Sequence, residues 1–216
     1  MRIIITAGPT REYIDTVRFI TNASSGKMGI ACAAAAIRAG HKVTLLLGPV
    51  CISPPAGCEV ISFTTVDELK TRLNEQFDNC DALIMSAAVG DFTVKEQFPY
   101  KISRSTESVQ ITLVPTEDIL ADIANRKKSG QIIIGFSLED VLDEKIGRQK
   151  LLEKNCDYLI INTTSAIGKD ESESCIISPQ GIILPPARRS KDELANEIIS
   201  LLAQHDVEKA NNPLSN

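Results

Sequence analysis

The chain has 216 residues and a hydrophobic content of 43%, which is ample for the core of one domain. A net charge of −5 and an aromatic content of 4% argue against a nucleic-acid surface, so any anion site must be a local cationic pocket. The N-terminal apolar run is too short for a signal peptide, and no stretch reaches the roughly 18 apolar residues of a membrane span. We therefore expect a soluble, cytoplasmic protein with no membrane contact.

Six mostly continuous apolar runs predict strands that are buried on both faces of a parallel sheet. The predicted strands are 2–6, 42–47, 59–63, 82–86, 131–136 and 157–162, and the predicted helices are 26–38, 66–77, 117–128, 139–154 and 191–204. The alternation predicts a doubly wound, mostly parallel Rossmann-like α/β sheet with helices on both faces. We expect one domain over residues 1–205 and a polar, disordered tail over residues 206–216.

Two regions interrupt this alternation. Residues 109–114 alternate apolar and polar side chains, which predicts a strand with one face exposed. Residues 175–184 read as two strands joined by a Pro-Gln-Gly turn. We expect these segments to form a small β arm that could serve as a dimer contact.

The six cysteines form no Cys-x-x-Cys pair, and only two histidines could join them as metal ligands. Scattered cysteines of this kind are typical of reduced thiols in an intracellular protein. The pattern argues against a zinc site and against a Cys/His catalytic pair.

The segment 18–29, between the first predicted strand and the first predicted helix, is a candidate anion site. A helix that begins at Ser24-Ser25-Gly26 leaves its first N–H groups unpaired and exposes its positive dipole end, which favours phosphate. Arg18 and Lys27 add cations there, and Asn22 adds a side chain that both donates and accepts hydrogen bonds. An ordinary strand-to-helix loop with serine caps explains this segment alone equally well.

The usual nucleotide fingerprints are missing. The spacing is not G-x-G-x-x-G, and the second strand ends in Leu47-Gly48-Pro49 instead of the acidic residue that holds a nicotinamide ribose. Gly26-Lys27 is followed by Met28, so the G-x-x-x-x-G-K-[ST] motif is absent too. An NAD-dependent reductase and a Walker-type ATPase are therefore weak hypotheses.

Ligands of open α/β sheets bind at the carboxyl ends of the strands, so the polar residues that follow strands are candidates. After the fourth strand, Ala87 and Ala88 would let a base or sugar approach the backbone, and Asp91 could hold Mg²⁺ through a triphosphate. A turn aspartate explains Asp91 as well.

Three further candidates each have an ordinary structural explanation. Lys101 could reach a phosphate or be solvated, and Asp118 could border a ligand or simply cap a helix. Lys150 and Lys154 lie one helical turn apart and could clamp a polyphosphate, although exposed lysines are usually surface residues.

Taken together and in this order, the candidate segments resemble a known family. The segments are ITAGPTR (5–11), DTVRFITNASSGKMG (15–29), AAVGDF (87–92), KI (101–102), DIL (118–120), GF (135–136) and KLLEKNCD (150–157). They resemble phosphopantothenoylcysteine synthetase, the second half of a bifunctional coenzyme A enzyme of many bacteria, over about residues 1–205. Because no flavin-binding decarboxylase half precedes these motifs, we expect the stand-alone form with no flavin.

The resemblance implies a two-step ligation. A nucleoside triphosphate, CTP in most bacteria and ATP in eukaryotes, activates the carboxylate of 4′-phosphopantothenate with release of pyrophosphate. The amine of L-cysteine then takes the acyl group to form an amide. Family members are dimers, so a homodimer is expected, and a separate phosphopantothenoylcysteine decarboxylase is a possible partner.

The resemblance also implies roles for individual residues. Asn22, Lys101 and Arg18 would be catalytic, with Asn22 acting on the acyl nucleotide and Lys101 in activation. Asp91 would hold Mg²⁺ or Mn²⁺ with the triphosphate, and Lys150 and Lys154 would contact the triphosphate. The other implied nucleotide-binding residues are Gly8, Ser24, Ser25, Gly26, Lys27, Ala87, Ala88, Asp118, Ile119 and Phe136.

Two departures from the family pattern bear on this reading. Ser103 and Arg104 follow Lys101 where many bacterial members have several lysines, and Thr116-Glu117 replaces the usual Asn-Pro of CTP users. CTP remains the expected nucleotide and ATP the alternative. A ligase of the same fold with another carboxylate, or a non-catalytic nucleotide-binding module, would also fit the fold.

Overall fold

The computed structural model of the protein describes residues 1–104, 108–164 and 168–211, with side chains up to residue 205. The strands are β1 (Arg2–Ala7), β2 (Arg11–Tyr13), β3 (Phe19–Thr21), β4 (Lys42–Leu47), β5 (Glu59–Ser62), β6 (Ala82–Met85), β7 (Phe92–Val94), β8 (Leu113–Pro115), β9 (Ile132–Glu139), β10 (Tyr158–Thr163), β11 (Glu171–Ser178) and β12 (Gly181–Ser190). The helices are α1 (Lys27–Arg38), α2 (Val66–Gln76), α3 (Ile119–Asn125), α4 (Glu144–Glu153) and α5 (Lys191–Asn211).

Eight of these strands form one sheet in the order β12-β11-β10-β9-β6-β1-β4-β5. Pairing is parallel from β5 across to β10 and antiparallel from β10 to β12. The two remaining pairs, β2–β3 and β7–β8, are short antiparallel ribbons. The predicted doubly wound, mostly parallel α/β fold is therefore confirmed, and all six predicted parallel strands are present.

Helices cover both faces of the sheet because each central strand is apolar on both sides. Along β1, Ile3 and Ile5 pack with α1 and α5, whereas Ile4 packs with α2 and α3 on the other face. Helix α4 packs on β10 and β11 through Leu151, beside Ile161. This double burial is what continuous apolar strand sequences produce in a parallel sheet.

The first turn of α1 lies unusually close to the ends of β1 and β6. A Cβ built on Gly29 would lie 2.4 Å from the Cβ of Ala7, 2.7 Å from Oγ of Ser86 and 2.8 Å from the carbonyl oxygen of Thr6. Only glycine fits this approach, which brings the N-terminal end of α1 onto the carboxyl edge of the sheet. The loops that follow the parallel strands meet at the same edge.

Several predicted boundaries were wrong. The helix predicted over 139–154 begins only at Glu144, because β9 continues to Glu139 in its pairing with β10 and Asp143 caps the helix. The helix predicted over 117–128 is confined to Ile119–Asn125, with Asp118 as its cap.

The two irregular regions also differ from their predictions. The strand predicted over 109–114 shrinks to β8 because its partner β7 offers only three residues for pairing. The predicted pair of strands around the Pro-Gln-Gly turn is present as β11 and β12, but it extends the edge of the main sheet instead of standing apart as an arm.

The last helix extends past its predicted end at residue 204. Helix α5 continues to Asn211, into the segment expected to be a disordered tail, and residues 212–216 lie outside the described chain. Within the part of the chain that the structure describes, no helix is both long and apolar enough to cross a bilayer.

Gly29→Ala tests the close approach of α1 to the sheet. Alanine gains about 1 kcal/mol of helix propensity over glycine, but a methyl group 2.4 Å from Ala7 overpacks the contact. Because overpacking costs about 1–3 kcal/mol and this contact is far inside the normal limit, we expect a net loss of stability of about 1–2 kcal/mol. Urea denaturation of both proteins measures it, and a variant as stable as the wild type would contradict the expectation.

Candidate functional site

The loops that follow β1 and β6 are bonded to each other beyond the ends of the strands. The N–H of Ala88 donates to the carbonyl of Gly8 at 2.9 Å, and the N–H of Thr10 donates to the carbonyl of Ala88 at 3.2 Å. The N–H of Ala87 donates to Oγ1 of Thr6 at 3.0 Å. The predicted residues Gly8, Ala87 and Ala88 are therefore held together at the carboxyl edge.

The two turns before α1 have no room for a side chain at Gly8 or Gly26. Gly8 and Gly26 have φ angles of +86° and +75°, and a Cβ on either would lie 2.9 Å from Cγ1 of Val50. Val50, which packs against both turns, was not among the residues predicted from the sequence. Its apolar side chain gave no signal that distinguished it from a core residue.

The N-terminal end of α1 is the positive end of the helix dipole. Within the described chain, its N-cap Gly26 makes no side-chain cap and its first turn holds no acidic residue. The hydroxyl oxygens of Ser24 and Ser25 accept long hydrogen bonds, from the N–H of Gly26 at 3.4 Å and of Lys27 at 3.5 Å. An end of this kind favours an anion because its N–H groups and dipole are not otherwise satisfied.

Asn22 connects these two parts of the edge. Its Nδ2 donates to the carbonyls of Val89 at 2.9 Å and Ala88 at 3.3 Å. The described hydrogen bonds of its side chain thus use the amide nitrogen and leave the amide oxygen as an acceptor. The structure consequently gives Asn22 the role of holding the loop after β6 next to the loop that precedes α1.

Arg18 lies farther along the same loop and is paired. Its guanidinium makes an ion pair with Asp15 and donates to the carbonyl of Ile102 at 3.1 Å. The side chain of Asp15 is fully buried. Burial opposes ionisation of Asp15, but N–H donors from Arg18, Val17 and Ile102 and the charge of Arg18 outweigh it, lowering the pKa to about 2.

Asp91 lies in the loop after β6, which is bonded to the loop before α3. The carbonyl of Asp91 accepts from the N–H of Thr116 at 3.0 Å, and Oγ1 of Thr116 donates to the carbonyl of Gly90 at 2.6 Å. Thr116 therefore fixes the spacing between the loops that carry Asp91 and Asp118. Sequence analysis treated Thr116 only as a departure from the family pattern.

The carboxylate of Asp91 fits a metal that is held mainly by a ligand's phosphates. Among residues 1–104, 108–164 and 168–211, no group of three His, Cys, Asp or Glu side chains could form a protein-only metal cage. Mg²⁺ typically binds through one or two carboxylates together with phosphate oxygens and water. The exposed carboxylate of Asp91 at the carboxyl edge of the sheet could supply one such ligand.

Lys150 in α4 and Lys154, the C-cap of that helix, are each paired with a carboxylate from another element. Lys150 makes an ion pair with Glu139 at the end of β9, and Lys154 contacts Oδ2 of Asp118 at 2.6 Å. Burial opposes ionisation of Glu139, but hydrogen bonds from Lys150 and Ser137 and the lysine charge keep its pKa below the usual value. The side chains of Lys150 and Lys154 are 38% and 36% exposed, so a phosphate from solvent could share or replace these partners.

The remaining predicted nucleotide residues differ in what they can offer. Asp118 caps α3 by accepting from the N–H of Ala121 at 3.1 Å. The side chain of Ile119 is buried in the core, so Ile119 could contact a ligand only through its backbone. Phe136 is partly buried on β9. Of the three, Asp118 presents the polar group.

Lys27 points away from the residues predicted to share its site. Its Nζ lies 2.6 Å from Oδ1 of Asp170, beside a cavity of about 300 Å³ that Lys191 also lines. Lys101 is exposed on the segment held by Arg18, with Arg104 following it. The edge therefore brings together most of the predicted residues, with Lys27 turned toward α5.

Comparison with known proteins identifies the family. The family described as the DNA/pantothenate metabolism flavoprotein C-terminal domain matches residues 1–205. The chain belongs to this family. The solved C-terminal domain of a coenzyme A biosynthesis bifunctional protein CoaBC is similar with a TM-score of 0.82 and 33% identity, over 96% of this chain and 96% of that one. The resemblance seen in the sequence motifs is confirmed.

Full-length relatives are longer than this chain. CoaBC of Bacillus subtilis (strain 168) is 41% identical over 167 residues, which are 77% of this chain and 41% of that protein. A protein named cysteine/cysteine sulfinic acid decarboxylase, from an unknown prokaryotic organism, is 40% identical over 203 residues, which are 92% of this chain and 56% of that protein. The chain spans about half the length of these curated relatives.

Proposed function

We propose that the chain is a phosphopantothenate–cysteine ligase that uses CTP, with ATP as the alternative nucleotide. One observation carries the proposal: Asn22 bonds the loop after β6, which places the uncapped end of α1 and the Asp91 loop at one edge of the sheet. The family relatives named for coenzyme A biosynthesis support the same activity. The substrates would be 4′-phosphopantothenate, L-cysteine and the nucleotide.

In the proposed first step, a carboxylate oxygen of phosphopantothenate attacks the α-phosphorus of the nucleotide. The bond from that phosphorus to the pyrophosphate oxygen breaks, so an acyl nucleotide forms and pyrophosphate leaves. Because a carboxylate is already a nucleophile, the main requirement is to hold two polyanions together and offset the developing charge. Lys101, Lys150, Lys154 and the end of α1 would supply positive charge for this.

A bound Mg²⁺ or Mn²⁺ would add further charge neutralisation at the triphosphate. Asp91 would hold it, because this carboxylate stands on the loop that Asn22 and Thr116 fix at the edge. In the second step the amine of cysteine attacks the acyl carbon, the nucleoside monophosphate leaves, and the amine loses a proton. Asn22 would hold the loops in place around the acyl nucleotide.

The departure at Thr116-Glu117 is compatible with CTP. Glu117 makes an ion pair with Lys70, which raises the lysine pKa mainly through that hydrogen bond and directs the added carboxylate toward α2. Thr116 supplies two bonds to the Asp91 loop. The base-contacting loop would therefore keep its position without the usual proline, and a base that bonds to Asp118 would share that carboxylate with Lys154 and the α3 cap.

Homodimerisation is a further part of the proposal. Phe92 and Leu113 on the β7–β8 ribbon are exposed by 51% and 43%, and an apolar ribbon of this kind favours contact with another chain. A separate phosphopantothenoylcysteine decarboxylase remains a possible partner, and a cytoplasmic location is expected for a coenzyme A enzyme.

The decarboxylase name of one relative offers a second candidate activity. Since the match covers 56% of that protein, its name can refer to the part that this chain does not match. The charged edge described above favours activation of an anion by a triphosphate, and no contact of the described residues favours decarboxylation over it.

Pyrophosphate release tests the proposed reaction. With Mg²⁺ and 4′-phosphopantothenate, we expect release that is faster with CTP than with ATP, and L-cysteine should allow many turnovers. Preference for ATP would show that the Thr116-Glu117 loop has changed the base choice. No release with either nucleotide would contradict the proposal, and pantothenate without its phosphate is the substrate control.

Lys154→Gln tests the triphosphate contact. Loss of one charge-assisted contact, worth about 1.5–3 kcal/mol, should weaken CTP binding by roughly 10- to 100-fold in calorimetry. Lys128→Gln is the matched control, because Lys128 also pairs with an aspartate, Asp78, at 3.3 Å but lies away from the carboxyl edge. Equal CTP affinity in the two variants would contradict the assignment of Lys154.

A further inference from the structure

The β2–β3 hairpin runs alongside the segment that joins Asp91 to Lys101. The sequence patterns predicted a loop over residues 7–25, so this hairpin was not predicted. Four contacts join the two stretches, and their order in sequence is the same along each stretch. They are Thr10 Oγ1 with the N–H of Gly90 at 2.9 Å, Glu12 Oε2 with Oγ1 of Thr93 at 2.7 Å, the carbonyl of Ile14 with the N–H of Phe98 at 2.9 Å, and Asp15 Oδ2 with the N–H of Ile102 at 3.1 Å.

The two carboxylate oxygens of Asp15 accept hydrogen bonds from different parts of the chain. Oδ1 accepts from the N–H groups of Val17 and Arg18, each at 2.7 Å, and so closes the hairpin turn. Oδ2 accepts from the N–H of Ile102 and from the guanidinium of Arg18. A carboxylate that served only the turn would need only Oδ1, so the second oxygen ties the turn to a residue 87 positions along the chain.

Ile102 is held at both of its backbone groups. Its N–H donates to Asp15, and its carbonyl accepts from the guanidinium of Arg18 at 3.1 Å. These two hydrogen bonds restrain the peptide units on both sides of Ile102, one of which joins it to Lys101. The fully buried side chain of Asp15 strengthens these bonds because water does not compete for its oxygens.

We propose that Asp15 is a positioning residue that, through Ile102, fixes where Lys101 stands relative to Asp91. This inference rests on the proposed ligase function for the role of Lys101. Arg18 completes the arrangement by joining Asp15 to the carbonyl of Ile102, which gives Arg18 a positioning role besides its predicted contact with substrate.

Asp15→Asn separates the two tasks of the carboxylate. The remaining Oδ1 can still accept from Val17 and Arg18, so the turn should persist. The new NH₂ group would face two donors, the N–H of Ile102 and the guanidinium of Arg18, so the bond to Ile102 should be lost. A displacement of about 1 Å at a reacting group can cost about 100-fold in rate, so we expect kcat to fall at least tenfold. The KM for CTP should change little.

Asp81→Asn is the matched control. Asp81 also accepts from a backbone N–H and from an arginine side chain, both of Arg2, but at the start of β6 and so at the opposite edge of the sheet. We expect its kcat to equal that of the wild type. An Asp15→Asn variant with wild-type kcat, or one with a raised KM and unchanged kcat, would overturn the proposal.

Amide hydrogen exchange at Ile102 tests the same arrangement without any activity. In the wild type the N–H of Ile102 should exchange more slowly than an unstructured amide, and in Asp15→Asn that protection should be lost while the strands of the main sheet keep theirs. An unprotected Ile102 in the wild type would overturn the proposal even if the variant did not fold. Protection without pyrophosphate release would support the positioning and contradict the ligase function.

Discussion

The site depends on the close contact between Gly29 and the ends of β1 and β6. Because the first turn of α1 touches Ala7 and Ser86, the positive end of that helix lies directly over the carboxyl edge of the sheet. The loops after β1 and β6 must then share a narrow space, which they fill with backbone hydrogen bonds between Gly8, Thr10 and Ala88. A larger residue at position 29 would move the N-terminal end of α1 away from the loops after β1 and β6.

Three of the cations around this edge are paired with carboxylates within the described chain. Glu139 and Asp118 hold Lys150 and Lys154, and Asp15 holds Arg18. Each exposed pair contributes little to stability. These pairs instead hold each cation in a defined position, and under the proposed function this would lower the ordering cost of binding a polyanion.

The sequence predicted the sheet and the edge because both follow from local patterns. Apolar runs define buried strands, and the Ser24-Ser25-Gly26 segment marks where α1 begins. What could not be predicted rests on pairs far apart in the chain. The second oxygen of Asp15 bonds to Ile102, and Lys154 pairs with Asp118. Val50 packs against the turns at Gly8 and Gly26. No periodicity in a single sequence reports such contacts.

The proposed reaction requires a carboxylate oxygen of the substrate to attack the α-phosphorus of a nucleotide at this edge. Incubation with Mg²⁺, CTP, L-cysteine and phosphopantothenate labelled with ¹⁸O in its carboxylate tests it most directly. We expect one ¹⁸O atom in CMP, because the carboxylate oxygen that bonds to phosphorus in the acyl nucleotide stays with the CMP when the amine displaces it. Label in inorganic phosphate together with release of CDP, or unlabelled CMP, would contradict it.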